Sequence, residues 1–266
     1  MKTIKVDLGR DLDKVVIIPL ADLHFGDKEC NLEKVKEIVE KIKARKEVYC
    51  VLNGDLINNA TKHSVSDIYA SNLSPMEQLE TISELLKPIK DKILCVTSCN
   101  HEFRTYKDDG IDITRLLCRE LGIEDKYADE SALLFVRFGK QSRGMKETKN
   151  KDQVREMCYT IFVTHGCGGG SSAGGKVNRV EHLAGIVDAD IYIHSHTHLP
   201  AVFKQAFFRT DTRNSSVALV DKLFINTTSF LNYGGYGDRF NFKPNSIANT
   251  LLVLNGNKKE FSGIVE

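Results

Sequence analysis

Residues 15–24 read VVIIPLADLH: a continuous apolar run, then two metal-capable side chains, Asp22 and His24. The run at 15–20 has no polar alternation, so it suits a strand buried on both faces, as in a parallel sheet covered by helices. The same phrase recurs along the chain. Residues 31–46 place Leu32, Val35, Ile38, Val39 and Ile42 at helical spacing with Lys and Glu between them. Residues 48–52 return to strand and lead into Gly54-Asp55. Ser74-Pro75-Met76-Glu77 opens a second helix, with Ser74 as N-cap, Pro75 at the first helical position and Glu77 completing a capping box. Its apolar face is Leu79, Ile82, Leu85 and Leu86. Residues 92–97 predict a third strand ahead of Asn100-His101-Glu102, and 111–121 a third helix.

After residue 130 the pattern changes. Residues 133–138 and 159–164 read as strands around a charged segment, 140–156, expected to be an exposed hairpin loop. The second of these strands leads into His165-Gly166. Residues 176–187 predict a helix, and 191–193 a strand ahead of His196-Thr197-His198. From 201 onward the chain is strand and turn, ending in a hairpin at Asn255-Gly256. With no repeat and no Pro- or Gly/Ser-rich linker, 266 residues are expected to form a single domain over 1–266, α/β first and β-rich later.

Composition narrows the function. Hydrophobic content of 41% and charged content of 27% are those of an ordinary globular protein. A net charge of +1 excludes a broad basic docking surface as the main source of affinity, though not a nucleic-acid substrate. The charged N-terminus MKTIKVDLGRDLDK lacks the apolar core of a signal peptide, and no apolar run reaches the roughly 20 residues that span a bilayer. Seven scattered cysteines with no CxxC pair are expected to be reduced thiols of a cytoplasmic protein with no membrane partner.

Five predicted strands thus end in metal-capable side chains. In an open α/β sheet the carboxyl ends of strands share one edge, so these residues should converge although they run from Asp22 to His198. Two carboxylates, an amide oxygen and several imidazoles form a mixed N/O set without thiolate, suited to Mn, Fe, Zn or Mg. The set exceeds what one tetrahedral ion uses. Two ions roughly 3.5–4 Å apart could hold a bridging hydroxide and clamp a phosphate for in-line displacement.

The order DxH, GD, NHE, HG, HTH resembles the calcineurin-like metallophosphoesterase superfamily over residues 15 to about 200. The resemblance implies a four-layer α/β/β/α sandwich of two mixed sheets flanked by helices. It assigns Asp22, His24 and His198 to a first metal, Asn100, His165 and His196 to a second, and Asp55 as the bridge. Mn is the favoured ion, with Fe, Zn, Mg and Ni also accommodated. His101 would stabilise the transition state and protonate the leaving oxygen, and Glu102 would orient His101. Two positions depart from the family pattern: Cys99 and Ser195 stand where glycine is usual before Asn-His and before His-x-His. Leu-Ile-Asn-Asn-Ala after Asp55 and Thr97-Ser98 before Cys99 lack the arginines that Ser/Thr protein phosphatases share, which argues against that branch. Small bacterial or phage-type phosphodiesterases are the better likeness.

The glycine-rich stretch 166–175 fits neither phosphate-loop pattern and reads as an active-site loop, with Lys176, Asn178 and Arg179 after it to hold substrate. Of the aromatics Phe230, Tyr233, Tyr236, Phe240 and Phe242, most are expected to cover a sheet edge. Tyr233 and Tyr236 remain candidates to stack on bases, with Arg239 near the phosphate. His194 is expected to pack beside the ligands, and His63 and His182 to lie at the surface. The expected reaction is metal-dependent hydrolysis of a phosphodiester in a nucleotide or single-stranded nucleic acid. A phosphomonoesterase and a non-catalytic metal-binding scaffold are the alternatives.

Overall fold

A computed structural model describes residues 1–62, 64, 68–69, 71–140, 156–168, 170 and 172–266. The strands in chain order are β1 (Lys2–Asp7), β2 (Lys14–Leu20), β3 (Val48–Asn53), β4 (Ile93–Thr97), β5 (Tyr127–Ala128), β6 (Ser131–Phe138), β7 (Met157–Thr164), β8 (Ile191–His194), β9 (Ala201–Asp211), β10 (Ser216–Asn226), β11 (Thr250–Asn255) and β12 (Phe261–Val265). The helices are α1 (Leu32–Ala44), α2 (Pro75–Leu86), α3 (Glu102–Asp109), α4 (Ile113–Leu121), α5 (Ala173–Glu181) and α6 (Gly235–Arg239).

Both sheets are mixed and six-stranded, ordered β12-β11-β2-β3-β4-β5 and β1-β6-β7-β8-β10-β9. In the first, β2 to β5 run parallel and β11 enters antiparallel to β2; in the second, β7, β8 and β10 run parallel. The apolar runs explain the layering, because alternate residues of one strand serve two cores. Val15 and Ile17 pack between the sheets with Tyr159, Ile161, Ile193 and Leu252. Ile18 and Leu20 face outward beneath Val35, Ile38, Leu79, Ile82 and Leu117 of α1, α2 and α4. On the far side Phe162, Tyr192 and Phe224 pack against Val180 and Leu183, at and just beyond the end of α5. The result is the four-layer α/β/β/α sandwich of two mixed sheets.

Local signals hold where they are strong. The Ser74 hydroxyl accepts the Glu77 N–H at 3.4 Å, while Glu77 Oε2 accepts the Ser74 N–H at 2.7 Å. The hairpin near Asn255-Gly256 pairs β11 with β12 and is closed by the Asn255 N–H on Glu260 O at 3.0 Å. Three elements differ from expectation. β1, concealed in the sequence by its charge, pairs parallel with β6. The helix predicted at 111–121 is α4, starting on the Asp112 cap, and a separate α3 precedes it, ended by Gly110 in the left-handed region at φ 71°. The helix predicted from 176 starts earlier at Ala173, where the Ser172 hydroxyl caps the Gly175 N–H at 3.1 Å. Most of the charged segment predicted as a hairpin loop, and His63, lie outside the described residues. All seven cysteines are free. Among the described residues no helix is long and apolar enough to cross a membrane.

Candidate metal centre

The parallel strands of both sheets end at one edge of the sandwich, and hydrogen bonds tie the segments that leave it. The N–H groups of Asp22, His24 and Phe25 donate to the carbonyls of Gly54, Asp55 and Leu56 at 3.1, 2.9 and 3.0 Å. Asn53, buried at the end of β3, joins the sheets. Its amide donates to Thr164 O at 2.8 Å and Ser195 Oγ at 2.6 Å, and its Oδ1 accepts the Thr97 hydroxyl at 2.7 Å. Ser195, in the family's glycine position, thus accepts a buried hydrogen bond that glycine could not.

Asp22, His24, Asp55, His196 and His198 all sit at positive φ, between 46° and 66°. Side chains seldom adopt that region, each instance costing about 1–3 kcal/mol, and such strain gathers at functional sites. Gly54, at φ 76°, is needed for a further reason: a Cβ there would lie 2.6 Å from the Cys99 Cβ and 2.7 Å from His165 Nδ1.

The side chains converge tightly. His198 Nε2 lies 3.0 Å from Asp22 Oδ1 and 3.5 Å from His24 Nε2. Asp55 Oδ2 faces three imidazoles, 3.4 Å from His165 Nε2 and 3.8 Å from both His24 Nε2 and His101 Nε2. His165 Nε2 and His196 Nδ1 are buried without a hydrogen-bond partner, and the His196 N–H donates to Asp22 Oδ2 at 3.1 Å. Donors bound at about 2.0–2.2 Å around one ion sit roughly 3–3.5 Å apart, so this spacing suits metal ligation. Two orphaned imidazole nitrogens amid carboxylates fit divalent ions by both geometry and chemistry. Asp22, His24 and His198 form one group able to hold an ion, and Asp55, Cys99 and His165 another.

The electrostatics follow from that crowding. Burial works against a charged His165, but Asp55, Asp22 and the Asn53 carbonyl together hold its pKa up at about 10. Burial pushes His24 down to about 3 and His196 down to about 4, with a neighbouring imidazole adding to each shift. Asp22 and Asp55 stay below the usual carboxylate range despite burial, because imidazoles face them. The Asn53 carbonyl can only accept, so the His165 Nδ1–H donates to it at 2.7 Å and Nε2 turns to the cluster.

Glu102 departs from expectation. Its carboxylate accepts backbone N–H groups from Leu56 at 2.7 Å and from Asp55 and Ile57 at 3.3 Å. The bond to His101 Nδ1 is made instead by the Asn58 carbonyl, at 2.9 Å. A carboxylate at the first turn of α3 finds free backbone N–H groups closer than the imidazole. Cys99 also proves more than a spacer. Its thiol contacts Asp55 Oδ1 and Glu102 Oε2, and its sulfur accepts the Asp55 N–H at 2.8 Å. Burial and then the two carboxylates push this thiol well above its ordinary pKa.

Asn100 is exposed at the turn before α3, and its amide has no hydrogen-bond partner among the described residues. Of the flanking candidates, Arg179 Nη1 donates to Cys167 O at 2.9 Å, Lys176 is half-buried, and Asn178 is exposed. Burial and then the like charge of Lys243 lower the Lys176 pKa. Tyr233 and Arg239 are exposed, and the Tyr236 side chain lies outside the described residues. Phe230 packs in the outer core, as expected for an aromatic covering the sheet. His194 is buried with Nδ1 against Asn226 Oδ1 at 2.8 Å, and the Asn226 amide continues to Thr197 Oγ1 at 2.7 Å. Sequence reasoning did not name Asn53, Asn58, Asn226 or Arg104. The first and third had a signal, a polar residue closing an apolar strand.

A family model described as calcineurin-like phosphoesterase matches residues 16–200. A search of curated proteins returns no match. Similar solved structures include a conserved uncharacterized protein and predicted phosphoesterase from Streptococcus pneumoniae, at 14% identity, 96% coverage of this chain, 99% of that one and a TM-score of 0.36. A single mutant of Vps29 from Entamoeba histolytica gives 11%, 95%, 99% and 0.42. Wild-type Vps29 of that organism, complexed with zinc, gives 10%, 94%, 99% and 0.41.

Proposed function

The chain belongs to the calcineurin-like phosphoesterase family, whose chemistry is metal-dependent phosphoester hydrolysis, and on that premise we propose that it cleaves phosphodiester bonds in a nucleotide or single-stranded nucleic acid. The observation that carries the reading is Asp55 Oδ2, facing His24, His165 and His101 at 3.8, 3.4 and 3.8 Å while Cys99 contacts the other oxygen. Asp22, His24 and His198 would hold one divalent ion, His165, His196 and Asn100 the other, and Asp55 both. Mn is the favoured ion. Bound there, the ions supply an activated water as nucleophile and charge to offset the phosphoryl oxygens.

The chain's own residues do the rest. His101, anchored by its Nδ1–H on Asn58 O, presents Nε2 toward the cluster, where it can pass a proton to the leaving oxygen. Glu102 fixes the backbone at 55–57 and so the place of Asp55. Lys176, Asn178, Arg179, Tyr233, Tyr236 and Arg239 form the walls that take the substrate, and the whole operates as one cytoplasmic domain over residues 1–266.

Asn100→Ala or His101→Gln is expected to abolish Mn-dependent cleavage of bis(p-nitrophenyl) phosphate with the far-ultraviolet spectrum and melting temperature unchanged. Undiminished turnover would overturn the mechanism. Faster cleavage of p-nitrophenyl phosphate than of the diester would overturn the diesterase assignment. Metal binding without cleavage of either ester, RNA or single-stranded DNA would leave the scaffold.

A further inference from the structure

We propose that Arg104 is a substrate-binding residue of this centre, taking an oxygen of the reacting phosphate beside His101; the inference rests on the phosphoesterase reading above. Arg104 is the third residue of α3 and half-buried. Its Nη1 donates to the Asn58 carbonyl at 3.1 Å, the same oxygen that takes the His101 Nδ1–H at 2.9 Å. One backbone oxygen therefore anchors both groups, and those two bonds keep the guanidinium within about 6 Å of the imidazole. His101 turns Nε2 to the leaving oxygen, and a guanidinium held within that distance of the ring is in reach of the phosphoryl group.

No carboxylate among the described residues pairs directly with Arg104, and burial lowers its pKa, an effect the carboxylates of Asp55 and Glu102 offset only in part. A guanidinium carries five N–H donors in a planar fork. The bond to Asn58 uses one, and the rigid fork matches the oxygens of a phosphate two at a time. The arginine singled out from the sequence, Arg179, is by contrast bonded to the Cys167 carbonyl. Arg104 follows Glu102 and returns to the site across one helical turn.

The test is calorimetric titration of the Mn-loaded full chain with inorganic phosphate, beside turnover of bis(p-nitrophenyl) phosphate. Losing a charged hydrogen-bond pair predicts that Arg104→Met weakens phosphate binding about 10- to 100-fold and raises KM by a similar factor. Arg104→Lys, which keeps the charge without the fork, should recover part of that loss. It also carries the test if Arg104→Met fails to fold, judged by its melting temperature. Unchanged phosphate affinity in both variants overturns the proposal even if kcat falls, because that pattern belongs to a residue acting only through Asn58 and His101. If the wild type cleaves the ester while the variants bind phosphate as it does, the Arg104 inference fails and the phosphoesterase reading stands. A wild type that neither binds phosphate nor cleaves any ester overturns both.

Discussion

Replacing Glu102 tests how the centre is held together. Its carboxylate is 3% exposed and accepts three backbone N–H groups from the segment that carries Asp55, one at 2.7 Å and two at 3.3 Å. Glu102→Ala would leave the buried Leu56 and Ile57 N–H groups without an acceptor, while the Asp55 N–H keeps its bond to Cys99 Sγ. At about 1–3 kcal/mol for the well-made Leu56 bond and less for the long Ile57 bond, the expected loss is about 2–4 kcal/mol. Glu102→Gln keeps one oxygen, which can still serve Leu56 and Ile57, so it should cost only about 1–2 kcal/mol. The assay is urea denaturation of chelator-treated protein, paired with calorimetric titration of Mn. Because the displaced segment carries Asp55, Glu102→Ala should also weaken Mn binding at least about tenfold, the size usual for groups that brace metal ligands. The imidazole of His101 rests on Asn58 rather than Glu102, so Glu102→Gln should leave the pH profile of kcat in place. A Glu102→Ala protein within about 0.5 kcal/mol of wild type, with unchanged Mn affinity, would refute this account, since surface substitutions fall in that range.

Two further outcomes follow from the same geometry. Gly166 sits at φ 87°, where an added Cβ would lie 2.1 Å from His194 Nε2. Gly166→Ala should therefore destabilise by about 2–5 kcal/mol, from left-handed strain plus overpacking, and a melting temperature equal to wild type would refute it. In chelator-treated protein, His24 near 3 and His196 near 4 refuse protons that the unfolded chain takes up below 6.5, so stability falls as pH drops from 6.5. His165 near 10 keeps a proton that the unfolded chain releases above 6.5, so stability also falls as pH rises from 6.5 toward 10. Urea midpoints at pH 5.5, 6.5 and 8.5 should peak at the middle value, each group contributing at most about 1.4 kcal/mol per pH unit. A flat profile would show that these imidazoles do not titrate as placed.

Some of this was legible along the chain. An apolar run flanked by helix-period segments can be buried only between layers, so β2, β3, β4, β7 and β8 were readable from local hydrophobicity. The side chains at their ends were readable too, because ligand chemistry belongs to residue type and strand ends share an edge. β1 was not, because its lysines hide the alternation that its pairing with β6 requires.

What the sequence determined by itself was therefore the layered fold, the family and the set of residues able to meet at one edge. Which of them touch was decided by the tertiary structure. Glu102 bonds residues 55–57 rather than its neighbour His101, and Cys99 lies between two carboxylates instead of filling a gap. Asn53 joins the two sheets, and Arg104 shares a carbonyl with His101. A buried polar atom bonds whatever the packed strands bring within about 3 Å, and those partners are fixed by strand order and register, which link residues far apart in the chain.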